Sequence, residues 1–160
     1  MGDSALPYPS IRELGLEELD LLVETRIEVL RCVFELPPDY DTSALAATNR
    51  AYYEQAIPEG SHIACAAFSG KEFVACAGMC FYRQMPSPES PDGNCGHLMN
   101  VYTRPAFRRQ GIGRALVKWL LVRARDRGVD RVFLDTTPEG RSLYENLGFI
   151  GLEDYMEKRL

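Results

Sequence analysis

At 160 residues the chain has the length of one ordinary domain, and we read residues 1–160 as a single unit around one core. Its 46% apolar and 26% charged residues place it among globular proteins, and no apolar run approaches the roughly 20 residues that a membrane-spanning helix needs, so no membrane partner is expected. The net charge of −5 is unevenly spread: residues 1–60 carry twelve acidic and four basic side chains, whereas residues 104–160 carry twelve basic and eight acidic, a polarity suited to an anionic ligand at one end and a cationic one at the other.

Residues 10–14 form a short strand in this reading. Apolar positions 16, 19, 22, 23, 27, 30, 33 and 34 then follow a helical stripe, giving a first helix over 16–34 that Pro37-Pro38 ends. Asp41-Thr42-Ser43 offers a cap for a second helix to about Ile57, stopped by Pro58-Glu-Gly60. Two apolar runs, 63–68 and 73–82, joined through Ser69-Gly-Lys71, predict a hairpin. Residues 83–94, with Pro86, Pro88, Pro91 and Gly93, predict an exposed loop or lid. A strand over 95–103 follows, then a third helix from about Gly111 to Gly128, a strand over 131–134, a short helix over 139–147 and a last hairpin of 148–149 with 155–157. The order predicts an α+β fold with a mixed sheet.

Five cysteines, an odd number without a Cys-x-x-Cys pair, lie mostly among apolar neighbours and are expected as free, buried thiols and not as a disulfide frame or a zinc site. The opening Met1-Gly-Asp-Ser-Ala-Leu-Pro7 lacks the basic and apolar regions of a secretory signal, so the expected location is cytoplasmic.

The most informative stretch is Thr103-Arg-Pro-Ala-Phe-Arg-Arg-Gln-Gly-Ile-Gly-Arg-Ala-Leu116. It sets a strand end, an arginine-rich Gly-x-Gly turn and a helix start side by side. Gly111 and Gly113 let successive backbone N–H groups turn toward one point, the helix adds its unpaired donors and positive dipole end, and Arg108, Arg109 and Arg114 add fixed charge. That combination is a cradle for a ligand carrying several phosphates. A dinucleotide fingerprint would need glycine where Leu116 stands, and a phosphate-binding loop would need Gly-Lys-Ser or Gly-Lys-Thr, which is absent. An acidic chain without helix-turn-helix or zinc spacing argues against a nucleic-acid partner.

With these residues in view the chain resembles the GNAT N-acetyltransferase superfamily. Arg108-Arg-Gln-Gly111-Ile-Gly113 matches its acetyl-CoA signature, the strand Asn100-Val-Tyr-Thr103 precedes it, and Arg141-Ser-Leu-Tyr144-Glu-Asn-Leu-Gly-Phe149 matches its second signature. The resemblance implies a mostly antiparallel central sheet with strands four and five splayed and about four helices around it. It implies acetyl-CoA as co-substrate, with no metal. Backbone N–H groups from Arg109 through Gln110, Gly111, Ile112 and Gly113 to Arg114 would wrap the pyrophosphate, beside Arg108. Val101 and Thr103, with Tyr102 between them, would offer main-chain bonds to the pantetheine arm, and a strand N–H near Val101 would polarise the thioester carbonyl.

The same resemblance makes Tyr144 the acid for the departing thiolate, in keeping with a phenol that stays protonated at neutral pH. His97 stands where several relatives carry a base; it is either that base or a satisfied structural histidine. Asn100 orients substrate or water, or bonds the adjacent backbone. Many relatives carry asparagine seven residues before the tyrosine, where this chain has Thr137. The acceptor side would comprise the first two helices, whose Glu24, Glu28, Glu35, Asp39 and Asp41 predict a small cationic amine, with a peptide amine as the other possibility and a homodimer admitted by the fold. A catalytically silent CoA-binding sensor or interaction domain, and an acyltransferase using a longer acyl group, are the competing readings.

Overall fold

A computed structural model of the chain describes residues 8–160; the opening residues read above as lacking a leader lie outside them. The elements are β1 (Ser10–Leu14), α1 (Leu19–Val33), α2 (Ser43–Glu59), β2 (His62–Ser69), β3 (Glu72–Arg83), β4 (Asn94–Thr103), α3 (Ile112–Asp126), β5 (Arg131–Phe133) and α4 (Arg141–Glu145), with 3-10 turns at Leu16–Glu18 and Pro105–Phe107. They build an α+β fold around a five-stranded sheet in sequential order. Neighbouring strands are antiparallel except β4 and β5, which run parallel.

Each face of the sheet has its own apolar layer. On one side α3 presses Ile112, Leu116, Val117, Leu120 and Ala124 onto Cys65, Ala67, Val74, Ala77, Met79 and Leu98. On the other, Leu22, Val23 and Val29 of α1 and Tyr53 of α2 cover Ala64, Ala66, Phe68, Phe73 and Cys76. The alternation of small alanines and cysteines along β2 and β3 is what makes these two strands apolar on both faces, as a strand between two helical layers must be. Burial pushes the thiol of Cys65 up to about 12 and that of Cys76 higher still, so both stay protonated and act as small hydrophobes.

The first helix expected over 16–34 begins as a 3-10 turn and is α-helical only over Leu19–Val33. Its expected apolar stripe also runs out early: Val33 and Phe34 are 58% and 67% exposed. The helix closes there. Leu36 N–H donates to Arg31 C=O and Glu35 N–H to Cys32 C=O, a Schellman arrangement with Glu35 at φ 49° in the left-handed position that glycine usually holds.

One further expectation is corrected and another is narrowed. The C-terminal hairpin does not form, and residues 148–160 contain no strand. At three residues β5 offers little ladder for another strand to pair with, and Glu153-Asp154 interrupts the apolar pattern; Tyr155 instead rests on Phe133, ring centroids 5.6 Å apart. The proline-rich loop is exposed but fastened, not a lid. The hydroxyl of Ser90, a buried residue, donates to Asp130 at 3.1 Å, Asp92 N–H donates to the same carboxylate, and the loop lies at the opposite end of β4 from residues 108–114.

Candidate active site

The site grows out of β4. Its pairing with β5 covers only Cys95–His97 against Arg131–Phe133, after which β4 continues to Thr103 paired only with β3. The two strands therefore part at His97, and the edge of β4 from Leu98 to Thr103 on that side keeps backbone donors and acceptors without a strand partner. Opposite, the register with β3 slips: Cys76 pairs with Tyr102 but Gly78 with Met99, so Asn100 and Val101 together face Ala77. This is a β-bulge, and Asn100 makes it by adopting φ 58°. Asn100 is anchored on both sides: its Oδ1 accepts from Arg26 Nη1 at 2.9 Å, and its carbonyl accepts from Cys76 Sγ at 3.4 Å.

At its far end β4 leads through Arg104 and the 3-10 turn into residues 108–111. Arg108 Nε donates back to Thr103 C=O at 2.9 Å, and Arg109 and Gly111 take φ values of 63° and 79°. The first bond of α3 runs from Ala115 N–H to Gly111 C=O, which leaves the N–H groups of Ile112, Gly113 and Arg114 without intrahelical acceptors at the positive end of a fifteen-residue helix. Arg108, Arg109, Gln110, Gly111 and Arg114 are exposed around them. Gly113 lies close to α4: a Cβ there would meet Leu143 at 3.4 Å, an ordinary contact. The turn thus has the curled backbone and clustered cations that a diphosphate requires.

Tyr144 and His97 line one cleft of about 440 Å³, together with Tyr82, Phe133, Asp135, Thr136 and Tyr155. Tyr144 comes from α4 and stacks edge-on against Phe149 at 5.8 Å; burial raises its phenol above the ordinary value, which keeps it protonated. His97 is about one-third exposed, and its Nε2 lies 3.5 Å from Asp135 Oδ2. Thr137 uses its hydroxyl oxygen to accept from Gly140 N–H at 3.3 Å, within the turn that precedes α4.

The acidic residues expected at the acceptor side divide. Glu28 is held by Arg104 through bonds of 2.9 and 3.0 Å, which lowers its pKa, and Asp41 accepts from Ser43 N–H at 2.9 Å. Glu24, Glu35 and Asp39 remain exposed. Tyr102 sits on the α1 side, its phenol raised by burial and by Glu28.

Sequence reasoning passed over two features here. Arg26 stands four residues from both Leu22 and Leu30, so a charged residue inside the apolar stripe was the available signal. The pair of buried His62 and exposed Tyr52, hydrogen-bonded at 2.9 Å, gave none, because its partners come from different elements. Burial pushes His62 down to about 4, and Gly78 opposite leaves room for the ring: a Cβ there would be 3.0 Å from Nε2.

The sequence profile of the acetyltransferase (GNAT) family matches residues 28–149. Over 143 residues the chain is 29% identical to a glucosamine 6-phosphate N-acetyltransferase of Trypanosoma brucei brucei, covering 88% of this chain and 90% of that one. A thialysine N-epsilon-acetyltransferase of Caenorhabditis elegans is 37% identical over 59 residues, which are 35% of this chain and 37% of the other. Among solved structures, a predicted acetyltransferase of Clostridium acetobutylicum with acetyl-CoA shares the fold at a TM-score of 0.84 and 22% identity, over 94% and 96% of the two chains. The splayed strands, the curled turn before α3 and the match over most of the sequence agree: the chain belongs to the GNAT acetyltransferase family and is an acetyl-CoA-dependent N-acetyltransferase.

Proposed function

We propose that the chain transfers the acetyl group of acetyl-CoA directly to the primary amine of a small molecule, both substrates being bound at once. The observation that carries this reading is the continuity of one strand edge with one helix start. The unpaired edge of β4 can bond an amide-bearing arm as an added strand would, and it leads straight to the orphan N–H groups of α3. A CoA whose pyrophosphate lies on residues 109–114 then brings its thioester back along Thr103, Tyr102 and Val101 toward the parting of β4 and β5.

In this reading the bulge aims Val101 N–H at the thioester oxygen, where negative charge develops. The amine lone pair attacks the carbonyl carbon, and the tetrahedral intermediate expels the thiolate, which takes its proton from the Tyr144 hydroxyl. His97, with Asp135 beside it, accepts the proton that the amine nitrogen sheds. The acceptor arrives as an ammonium ion, drawn by the exposed carboxylates Glu24, Glu35 and Asp39, and gives one proton to bulk water before attack, so that the proton His97 takes is the second, shed by the nitrogen of the tetrahedral intermediate; the proton His97 holds returns the Tyr144 phenolate to its neutral form. The names of the relatives, glucosamine 6-phosphate and thialysine N-acetyltransferases, favour a small amine over a peptide. Free thiols and dependence on acetyl-CoA fit a cytoplasmic reaction.

The test is amine-dependent release of free thiol from acetyl-CoA across an amine library, compared between the native chain and Tyr144→Phe. The expected loss in the variant is about a hundredfold or more in kcat. Tight CoA binding with no turnover on any amine would instead identify a catalytically silent CoA-binding domain.

A further inference from the structure

Arg26 is held in place by neutral groups alone. Its Nη1 donates to Asn100 Oδ1 at 2.9 Å and its Nε to Asn49 Oδ1 at 3.4 Å, and both amides are themselves tied down, Asn49 by Nδ2 donating to Leu45 C=O at 2.8 Å and Asn100 by the bulge. No carboxylate among the described residues lies within salt-bridge distance of it, whereas Arg12, Arg50, Arg104, Arg131 and Arg141 each have one. Of the acids on the first two helices and the turn between them, Glu28 is engaged by Arg104, Asp20 by Arg50 and Asp41 by the start of α2, while Glu24 and Glu35 are exposed.

A guanidinium has five N–H donors. The two bonds to the asparagines fix its plane and leave three donors and the full positive charge unanswered, in a half-buried position. Its field reaches Tyr52, Tyr53, His62 and Cys76, which places it in the layer between the sheet and the first two helices and not on the outer surface. It also touches the one residue of β4 whose backbone shapes the bulge, so in the transferase reading it stands beside Val101, whose N–H would face the thioester, on the side of the sheet opposite α3. Desolvating a cation without an anion is costly. A pre-oriented guanidinium of this kind matches a carboxylate or phosphate by paired N–H bonds.

We propose that Arg26 is a specificity residue that binds an anionic group, carboxylate or phosphate, on the acceptor, which makes the preferred acceptor a zwitterion carrying its amine and its anion on one small molecule. The assignment rests on the transferase reading above and narrows its substrate class.

The experiment uses the full chain with acetyl-CoA and a set of amines in matched pairs: glucosamine 6-phosphate with glucosamine, lysine with 1,5-diaminopentane, and further amino acids with their decarboxylated amines. The expected result is a preference in kcat/KM of roughly ten- to a hundredfold for the anionic member of at least one pair. Arg26→Gln reduces that ratio toward one, mainly through KM, and Arg26→Lys keeps part of it because the charge remains. Taking ratios within a pair cancels any effect of the substitution on the bulge or on CoA. Equal loss on both members would show that Arg26 only positions Asn100, and preference for the plain amines would likewise overturn the proposal. Failure of the transferase reading gives a separate signature, CoA binding with no acetylation of any pair, and the proposal falls with it. Calorimetry with CoA verifies that each variant is folded.

Discussion

Arg26 on α1 and Asn100 on β4 are 74 residues apart in sequence, and one hydrogen bond of 2.9 Å between them ties the helical layer to the bulge that interrupts β4. The bulge needs a left-handed residue at position 100, and asparagine is among the few non-glycine residues that tolerate it. Its side chain then supplies the oxygen to which Arg26 donates. Backbone geometry and helix docking are therefore set by the same residue.

Substitutions at Asn100 should separate the two roles. Asn100→Gly keeps the left-handed backbone but loses the side-chain oxygen, and we expect a folded protein with reduced kcat. Asn100→Val opposes the φ of 58° with a β-branched side chain and should destabilise by about 1–3 kcal/mol. Thermal melts and steady-state kinetics on both variants are the measurement; a valine variant as stable as the native chain would disprove the bulge argument.

Glu35 offers the reverse case. As a non-glycine residue at the left-handed C-terminal position of α1, it carries strain that Glu35→Gly relieves, so the variant should melt higher, by up to about 1 kcal/mol in stability. If Glu35 also attracts the acceptor's ammonium group, KM for the amine rises in the same variant while KM for acetyl-CoA does not change. A higher melting temperature with unaltered kinetics would restrict Glu35 to the helix end.

His62 gives stability a pH dependence of predictable sign. Its folded-state value of about 4 lies below the ordinary histidine value near 6.5, so between these limits the unfolded chain binds the proton more readily. Its contribution is intact above pH 6.5 and is lost as pH falls toward 4. Melting temperatures across this interval should decline more steeply for the native chain than for His62→Gln, which keeps a polar partner for Tyr52 without titrating. Parallel curves would mean that the imidazole is not desolvated as described.

The assignment of His97 is tested by the pH profile of kcat/KM. His97→Ala should remove the acidic limb expected of the native profile and lower the plateau. An unchanged limb in His97→Ala would leave His97 a structural residue.

Most of the helices and strands could be read from local pattern because each is amphipathic or bounded by glycine and proline. Gly60 and Gly128 both close helices in left-handed conformations, and the Gly111 turn is where its sequence places it. What could not be read depends on contacts between distant segments. The extent of β4–β5 pairing is decided by where β5 ends, the bulge at Asn100 by a register shift against β3, and the Tyr52–His62 pair by the seating of α2 on β2, with the His62 ring against Gly78. The missing C-terminal hairpin has the same origin: its strand pattern was present locally, but the partner edge on β5 is three residues long. In the site, Tyr144 and His97 were legible as residue types at positions, while their sharing of one cleft depends on how α4 packs, through Leu143 and Tyr144, on the core layer of α3.

That packing supplies the last prediction. Gly111 and Gly113 are two residues apart, yet their surroundings differ: Gly111 needs its φ of 79°, with open space where a side chain would go apart from Tyr8 Oη 3.9 Å away, whereas a Cβ at Gly113 would already touch Leu143 at 3.4 Å, leaving no room for a larger side chain. Gly111→Ala should thus strain the turn by about 1 kcal/mol and weaken CoA binding without disturbing α4, because the N–H groups of Ile112, Gly113 and Arg114 lose their common aim. Gly113→Val should act on α4 itself, displacing Leu143 and with it the adjacent Tyr144. CoA affinity by calorimetry then separates from kcat: the first variant loses mainly affinity, the second mainly turnover. If both lose affinity alone, the first turn of α3 holds CoA but does not govern the position of Tyr144, and the packing route from Gly113 to the cleft is wrong.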